Sequence, residues 1–248
     1  INAAGRIKHA SKAVEILVEL DCVKAKEFSD AIEENNKIRK ELDKAITIEA
    51  LKMINTKKKS TVVFSKNWHK GVVGIVASRL IEHHYKPTIV LAENDGVITG
   101  SARSVHDFDL YTAISKCAHL CEKFGGQKYA AGLSIKKENI QTFIDAFESE
   151  VSNSITSDQL IPKVEFDIKI ELNDVNEKLF RIIKQFAPFG PKNLSPVFLS
   201  SEIIDAGYSK RIGSDKSHLK IIAKTSRGLI HGIGFGMGDY FEIIKHPN

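Results

Sequence analysis

Apolar residues recur along this chain with two periods, and the change from one to the other divides it. Between His9 and Leu20, the positions Ala10, Ala13, Val14, Leu17 and Val18 fall at helical spacing, predicting a helix with one buried face. From about Lys24 to Asn55 the apolar positions Phe28, Ala31, Ile38, Leu42 and Ala45, with Asn35 in the same register, follow gaps of three and four. That spacing predicts a long, partly exposed helix docked along one seam and connecting two parts of the chain. It extends over too few heptads to specify a coiled coil. Ahead of these helices, Ile1-Asn2-Ala3-Ala4-Gly5-Arg6 reads as a small-residue turn ending in Arg.

After Lys57-Lys58-Lys59 the pattern shortens. Thr61 to Phe64 is β-branched and aromatic and predicts a buried strand. Val72, Val73, Ile75, Val76, Leu80 and Ile81 predict a helix buried between layers. Strands are expected at Pro87 to Leu91 and Val97 to Ser104, across an Asp95-Gly96 turn. Asp107 or Asp109 can cap the next helix, in which Leu110, Ile114, Cys117 and Cys121 share a face. A loop at Gly125, a short strand at Leu133 to Ile135 and a helix from about Glu138 to Val151 follow. Strands alternating with helices predict an α/β domain of roughly ninety residues.

The polar run Ser152 to Asp158 reads as a linker. Beyond it Val164, Phe166, Ile168 and Ile170 alternate as in a half-exposed strand, and a helix is expected around Val175 to Phe186. After the punctuated Pro188 to Pro196, strands are expected at Val197 to Ile204, His218 to Lys224 and Leu229 to Phe235, with turns at Gly213-Ser214-Asp215 and Ser226-Arg227-Gly228. Short strands separated by turns predict a small barrel or curled sheet of the OB type. The expected organisation is a helical junction and connecting helix at 1–57, the α/β domain at 58–152 and the β-rich domain at 160–248. The chain opens on Ile1 inside a patterned segment and stops before such a barrel would close, so a piece of a longer protein with a shortened last domain is expected.

Composition changes this picture little. The chain has 248 residues, 42% of them hydrophobic and 27% charged, which is ordinary for a soluble globular protein. A net charge of +5 leans toward an anionic partner such as nucleic acid. An odd set of three cysteines fits a reducing cytosol, and no stretch approaches the ~20 apolar residues of a membrane span, so a cytoplasmic location is expected. Cys117 and Cys121, four apart, read as core rather than zinc ligands, because nothing else supplies a tetrahedral set. Gly100-Ser101-Ala102-Arg103-Ser104 and the run Gly125 to Gly132 suit a phosphate-bearing partner: small residues let backbone N–H groups approach it, and Arg103 or Lys128 adds charge.

Five ordered motifs carry a resemblance: Ile1 to Arg6, Trp68 to Arg79, Gly100 to Ser104, Phe124 to Gln127 with Ala130-Ala131-Gly132, and Pro188 to Asn193 with Pro196-Val197-Phe198. Together they resemble the RecJ-type single-strand-specific exonucleases of the DHH phosphoesterase superfamily. The resemblance implies an α/β DHH-associated domain, preceded by the long connecting helix and followed by the OB-like domain. It also implies a metal-holding domain with Mn2+ or Mg2+ upstream of Ile1, and no metal on the residues present here. The pair His83-His84, preceded by Glu82, does not reproduce the family's Asp-His-His.

By the same resemblance the chain binds single-stranded DNA during 5′ to 3′ degradation in repair and recombination. Single-strand-binding protein and a helicase are the implied partners, and a monomer the implied state. Arg103, with Ser101 and Ser104 beside it, is the expected phosphate grip, and Arg6 a second contact. Gly125 and Gly126 would let a strand approach closely. Gln127 stands where the family usually has His and cannot supply its charge, which either weakens the phosphate contact or leaves it to a neighbour such as Lys128. Trp68 either stacks on a base or fills the core; His69 either donates to a phosphate or is structural. Another DHH phosphoesterase, an oligoribonuclease or cyclic-dinucleotide phosphodiesterase, is the alternative enzyme, and would lack the Pro188 to Phe198 segment and OB-like tail. A non-catalytic single-strand-binding module is the alternative of a different class.

Overall fold

The computed structural model describes residues 2–94 and 96–245 and divides into two compact units, Ile1–Lys163 and Val164–Asn248. In the first, α1 (Ala4–Ile7) and α2 (Ser11–Val18) precede α3 (Cys22–Met53). The expected small-residue turn is therefore the start of a short helix, while Ile1 lies outside the described residues. α2 exists, but Val14, Leu17 and Val18 are exposed and Ala13 faces inward. This helix meets α1 and α3 through a small contact of Ala4, Ala13 and Ile32 rather than a wide apolar face.

α3 starts at Asp21, whose carboxylate accepts from the N–H groups of Val23 and Lys24. Its buried residues are Ile32, Asn35, Asp43, Ile46, Thr47 and Ala50, whereas Ala31 and Ala45 of the predicted seam are exposed. The face is rotated because the neighbours are not a parallel helix. Asp43, fully buried, pairs with Arg39 within α3 and with Arg79 of the next helix, each at 2.8 Å. A buried carboxylate is tolerated only with such partners, so this pair of contacts fixes the helix's rotation.

β1 (Thr61–Ser65), α4 (Val73–His83) and β2 (Thr88–Asn94) form a parallel crossover, and β3 (Val97–Arg103) returns antiparallel. The predicted turn between β2 and β3 includes Asp95, outside the described residues. Asp109, not Asp107, caps α5 (Leu110–Lys116) by accepting from Thr112 N–H at 2.9 Å. That helix stops before Cys117. A short 3-10 turn follows, and Cys121 already opens β4 (Cys121–Gln127), so the two cysteines do not share a helix face. β4 pairs with β5 (Ala130–Ile135) through a turn at Lys128-Tyr129, which makes the predicted Gly125 loop a strand. Glycine carries little strand propensity of its own, and the ladder with β5 decides the matter. α6 (Ile140–Ser154) closes the unit.

The sheet order is β1-β2-β3-β5-β4. One face carries Leu91, Ile98, Ala102, Leu133 and Ile135 against Phe143 and Phe147 of α6 and Leu110 and Ile114 of α5. The other carries Val63, Val90 and Ala92 against α3 and α4, through Ile46, Ala50, Val76 and Leu80. On that second face the outward residues of β5 and β4, including Ala130, Gly132, Gly125 and Gln127, are exposed. Half of one sheet face is thus open beside α4.

The second unit pairs β6 (Ile168–Lys169) with β7 (Phe198–Leu199) in parallel. Between them α7 (Glu177–Lys184) is capped by Asn176, and Asn193 donates to the carbonyls of Phe186 and Pro188 to organise the proline-rich loop. β8 (Ile204–Asp205), β9 (Lys210–Ile212) and β11 (Gly228–Gly234) all pair antiparallel to a long β10 (His218–Thr225), and α8 (Phe241–Lys245) follows. β10 buries Leu219, Ile222 and Ala223. The run predicted as one strand over Val197 to Ile204 is two, and only Ile168–Lys169 of the Val164 to Ile170 alternation pairs. β9 had no signal because Lys210 and Arg211 break its apolar pattern. No helix among the described residues is long and apolar enough to cross a membrane.

Candidate nucleic-acid interface

The first turn of α4 is the centre of the site. Its N-cap, Val72, offers no side-chain cap; Val72 N–H donates to the His69 carbonyl and Ile75 N–H to the Val72 carbonyl, so the N–H groups of Val73 and Gly74 retain the capacity to bind an anion. β3 runs alongside with Ser101 and Arg103 on the α4 face, alternating with Gly100 and Ala102 on the other. A Cβ added to Gly74 would lie 2.9 Å from Arg103 Nη2 and 3.0 Å from Ser101 Oγ, so glycine here lets both side chains lie over the helix start. Arg103 donates through Nη1 to Ser101 Oγ at 2.9 Å and to the Ala102 carbonyl at 2.8 Å, which holds the guanidinium in place.

Arg6 arrives from α1. Its Nη1 donates to the Gly71 carbonyl at 3.4 Å, and a Cβ on Gly71 would stand 1.8 Å from the Arg6 carbonyl oxygen. Only glycine permits that approach. Burial lowers the pKa of Arg103, and the positive charge of Arg6 lowers it further. Among the described residues no carboxylate pairs with either arginine. Two guanidiniums of like charge beside an uncapped helix start would each be stabilised by an anion between them.

The remaining predicted residues divide. His69 lies in the loop before α4, where Nδ1 accepts from Gly71 N–H at 3.0 Å; this bond shapes the loop that receives Arg6. Ser104 donates its hydroxyl proton to the Phe108 carbonyl at 2.7 Å and its N–H to the Tyr129 carbonyl at 3.0 Å, so it shapes the end of β3 instead of joining Arg103. Lys128 sits at the β4–β5 turn, 3.6 Å from Asp107 and over the Tyr129 ring; the hydrogen bond with Tyr129 leads in raising its pKa. It is engaged there with Asp107 and Tyr129. Trp68 is buried, and its Nε1 donates to Glu49 at 2.9 Å, so it is core and offers no face for a base to stack on.

Register places the others. Arg103 pairs with Ala130, which pairs with Gln127; Ser101 pairs with Gly132, which pairs with Gly125. These two rows lie on the open face, so Gln127 and Gly125 share it with Arg103. Gly126 points to the opposite side, where a Cβ would lie 2.3 Å from the Ala130 carbonyl oxygen. Its role is to let the hairpin close. Gly100 likewise faces the core, its missing Cβ making room for Leu91. Sequence reasoning missed Gly71 and Gly74 as parts of the site, and it took the run Gly125 to Gly132 as a loop without assigning Ala130 and Gly132 to the face of Arg103. Small residues at alternate positions of 130–134 were the available signal, but it becomes meaningful only with the pairing known.

Among the described residues no group of three or more His, Cys, Asp or Glu could hold a metal ion. Cys117 and Cys121 have thiol pKa values raised chiefly by burial, Cys121 to about 11, which suits packing better than ligation.

Comparison with known proteins agrees with this architecture. Residues 56–153 match the DHHA1 domain, and residues 166–248 match the RecJ OB domain. The chain is 32% identical to the single-stranded-DNA-specific exonuclease RecJ of Bacillus subtilis over 98% of its length, and 30% identical to that of Haemophilus influenzae over 96%. It spans 31% and 43% of those two proteins. The crystal structure of a RecJ from Thermus thermophilus in complex with Mg2+ superposes with a TM-score of 0.77 at 25% identity, covering 95% of this chain and 36% of that one. With both domain matches in sequence order and relatives aligned along nearly its whole length, the chain is a DHHA1 domain followed by a RecJ OB domain and is similar throughout to part of the RecJ exonucleases.

Proposed function

We propose that this chain grips the 5′ end of a single DNA strand for a metal-dependent exonuclease acting in repair and recombination. The terminal phosphate is held by Arg103 and Arg6, with Ser101 and the opening N–H groups of α4 completing the cradle. The observation that carries this reading is the convergence of two arginines, neither paired with a carboxylate among the described residues, on an uncapped helix start. Each guanidinium fork can bind two phosphate oxygens, and the small residues of the adjoining sheet face let the backbone of the strand lie close. Gln127 borders that face with a hydrogen-bonding amide but no charge. The β-rich unit adds surface of a type that binds single strands.

Solved relatives hold Mg2+ or Mn2+. The side chains here do not fit such a centre, since the described residues supply no cluster of ligands, so the hydrolytic step falls to other parts of the longer protein. Single-strand-binding protein, a helicase and a cytoplasmic setting belong to the same proposal.

The test compares 5′-phosphorylated and 5′-hydroxyl single strands by fluorescence anisotropy. Wild type should prefer the phosphate. Arg103→Ala should erase the preference and weaken binding about tenfold or more, as for the loss of a charged hydrogen bond worth about 1.5–3 kcal/mol. Equal binding of the two strands by wild type would overturn the reading. Residues 1–248 with Mn2+ should leave single strands undigested; digestion would reject the assignment of hydrolysis to other residues.

A further inference from the structure

We propose that Lys123, with the hydroxyls of Thr99 and Ser134, forms a second phosphate position for the strand whose 5′ end lies at Arg103. The inference rests on the reading of Arg103 given above. A third cross-strand row, Thr99–Ser134–Lys123, lies on the same open face as the rows of Arg103 and Ser101. Lys123 lies opposite Ser134 in regular alternation with Gly125 and Gln127, which puts it on this face; the irregularity of the ladder falls before it, between Cys121 and Lys123. Lys123 is exposed, and among the described residues it pairs with no carboxylate. Neither the Thr99 nor the Ser134 hydroxyl has a hydrogen-bond partner there. Three side-chain donors therefore face outward from one row.

Between the Ser134–Lys123 and Gly132–Gly125 pairs lies a shallow depression of about 310 Å³, bordered also by Phe124 and Leu133. From Arg103 to Lys123 the path crosses two rows and two strand spacings, a Cα separation of about 16 Å. A nucleotide step is about 3.4 Å in duplex and about twice that when extended, so one strand reaches both positions only after about three steps. Lys123 is thus a positioning residue that reads the presence of further nucleotides.

The experiment measures binding of a 5′-phosphorylated dinucleotide and hexanucleotide at several salt concentrations to wild type, Lys123→Gln, Arg103→Ala and Lys44→Gln, the last a charge control on exposed α3 surface. Lys123→Gln should weaken the hexanucleotide about fivefold near 0.1 M salt, lower the salt slope by about 0.7 and leave the dinucleotide unchanged. Arg103→Ala should weaken both, and Lys44→Gln neither. Loss with Arg103→Ala but an unchanged hexanucleotide with Lys123→Gln would overturn this inference and leave the Arg103 site standing. No loss with either variant would remove both. Equal loss on the two oligonucleotides, or the same loss with Lys44→Gln, would reduce Lys123 to a general field effect and overturn the inference. Gly125→Ala supplies a further readout. Its Cβ would meet no protein atom within 4 Å, so the fold should be untouched while the depression is partly filled. Weaker hexanucleotide binding by this variant is expected, and unchanged binding would remove the depression from the path.

Discussion

Gly71→Ala should damage both stability and binding through one displacement. The added methyl would stand 1.8 Å from the Arg6 carbonyl oxygen and 2.8 Å from its carbon, where ordinary contact begins at 3.4 Å. Something must retreat by about 1.6 Å, the difference between 3.4 and 1.8 Å. The obstacle is backbone, so no side-chain rotation relieves it. Overpacking of this kind costs about 1–3 kcal/mol. For a protein of this size that lowers Tm by about 2–12 °C, at about 2–4 °C per kcal/mol. The same retreat carries Arg6 away from Arg103 and should weaken binding of a 5′-phosphorylated strand about fivefold near 0.1 M salt, the effect of one lost phosphate contact. Thermal unfolding followed by circular dichroism and anisotropy binding of Gly71→Ala, Arg6→Ala and the double variant test the chain of causes. If Gly71 acts on binding by seating Arg6, the double variant should bind no more weakly than Arg6→Ala alone, while keeping the stability loss. An unchanged Tm would refute the steric argument; additive binding losses would refute the link to Arg6.

Three further outcomes follow from the packing. Asp43→Asn leaves Arg39 and Arg79 facing an uncharged amide and should destabilise by about 3 kcal/mol, the low end for a broken buried pair because Arg79 is 43% exposed; a loss in urea-unfolding stability below about 1 kcal/mol would contradict it. Burial would raise the Glu148 pKa, but hydrogen bonds from Ser60, Lys59 N–H and Ser152 outweigh it and hold the pKa below 4.5. The unfolded chain then binds more protons, so this stabilisation is present above about pH 4.5 and lost as pH falls through the depressed folded value; urea midpoints of Glu148→Gln and wild type should converge in acid, and parallel curves would refute it. Trp68, the single tryptophan, should keep its fluorescence when single strands bind, and Trp68→Phe should cost about 1 kcal/mol from the lost bond to Glu49 without weakening binding. Quenching by the strand would return Trp68 to the interface.

The residues by themselves determined the type of most elements. Strong helical periods marked α3 and α4, β-branched runs marked β1 and β10, and a cap at Asp107 or Asp109 was readable because capping is local chemistry, though the structure chose Asp109. Arg103 was singled out with Ser101 and Ser104 by the resemblance, and only the strand's alternation separates Ser101, on the face of Arg103, from Ser104. What lay beyond the sequence depended on partners distant in the chain. Burial of Ile32 and Ile46 instead of Ala31 and Ala45 on α3 is set by the Asp43–Arg79 contact across helices. β4 is a strand although Phe124-Gly125-Gly126-Gln127 has weak propensity, because β5 supplies its ladder. Trp68 and Ser104 looked available for a ligand until tertiary contacts with Glu49 and Phe108 claimed their polar atoms. Arg6, nearly a hundred residues before Arg103, joins it only because Gly71 lets two backbones touch. Local periodicity and capping are written within a few residues, whereas the meeting of two like charges at a helix start is a property of three segments packed together.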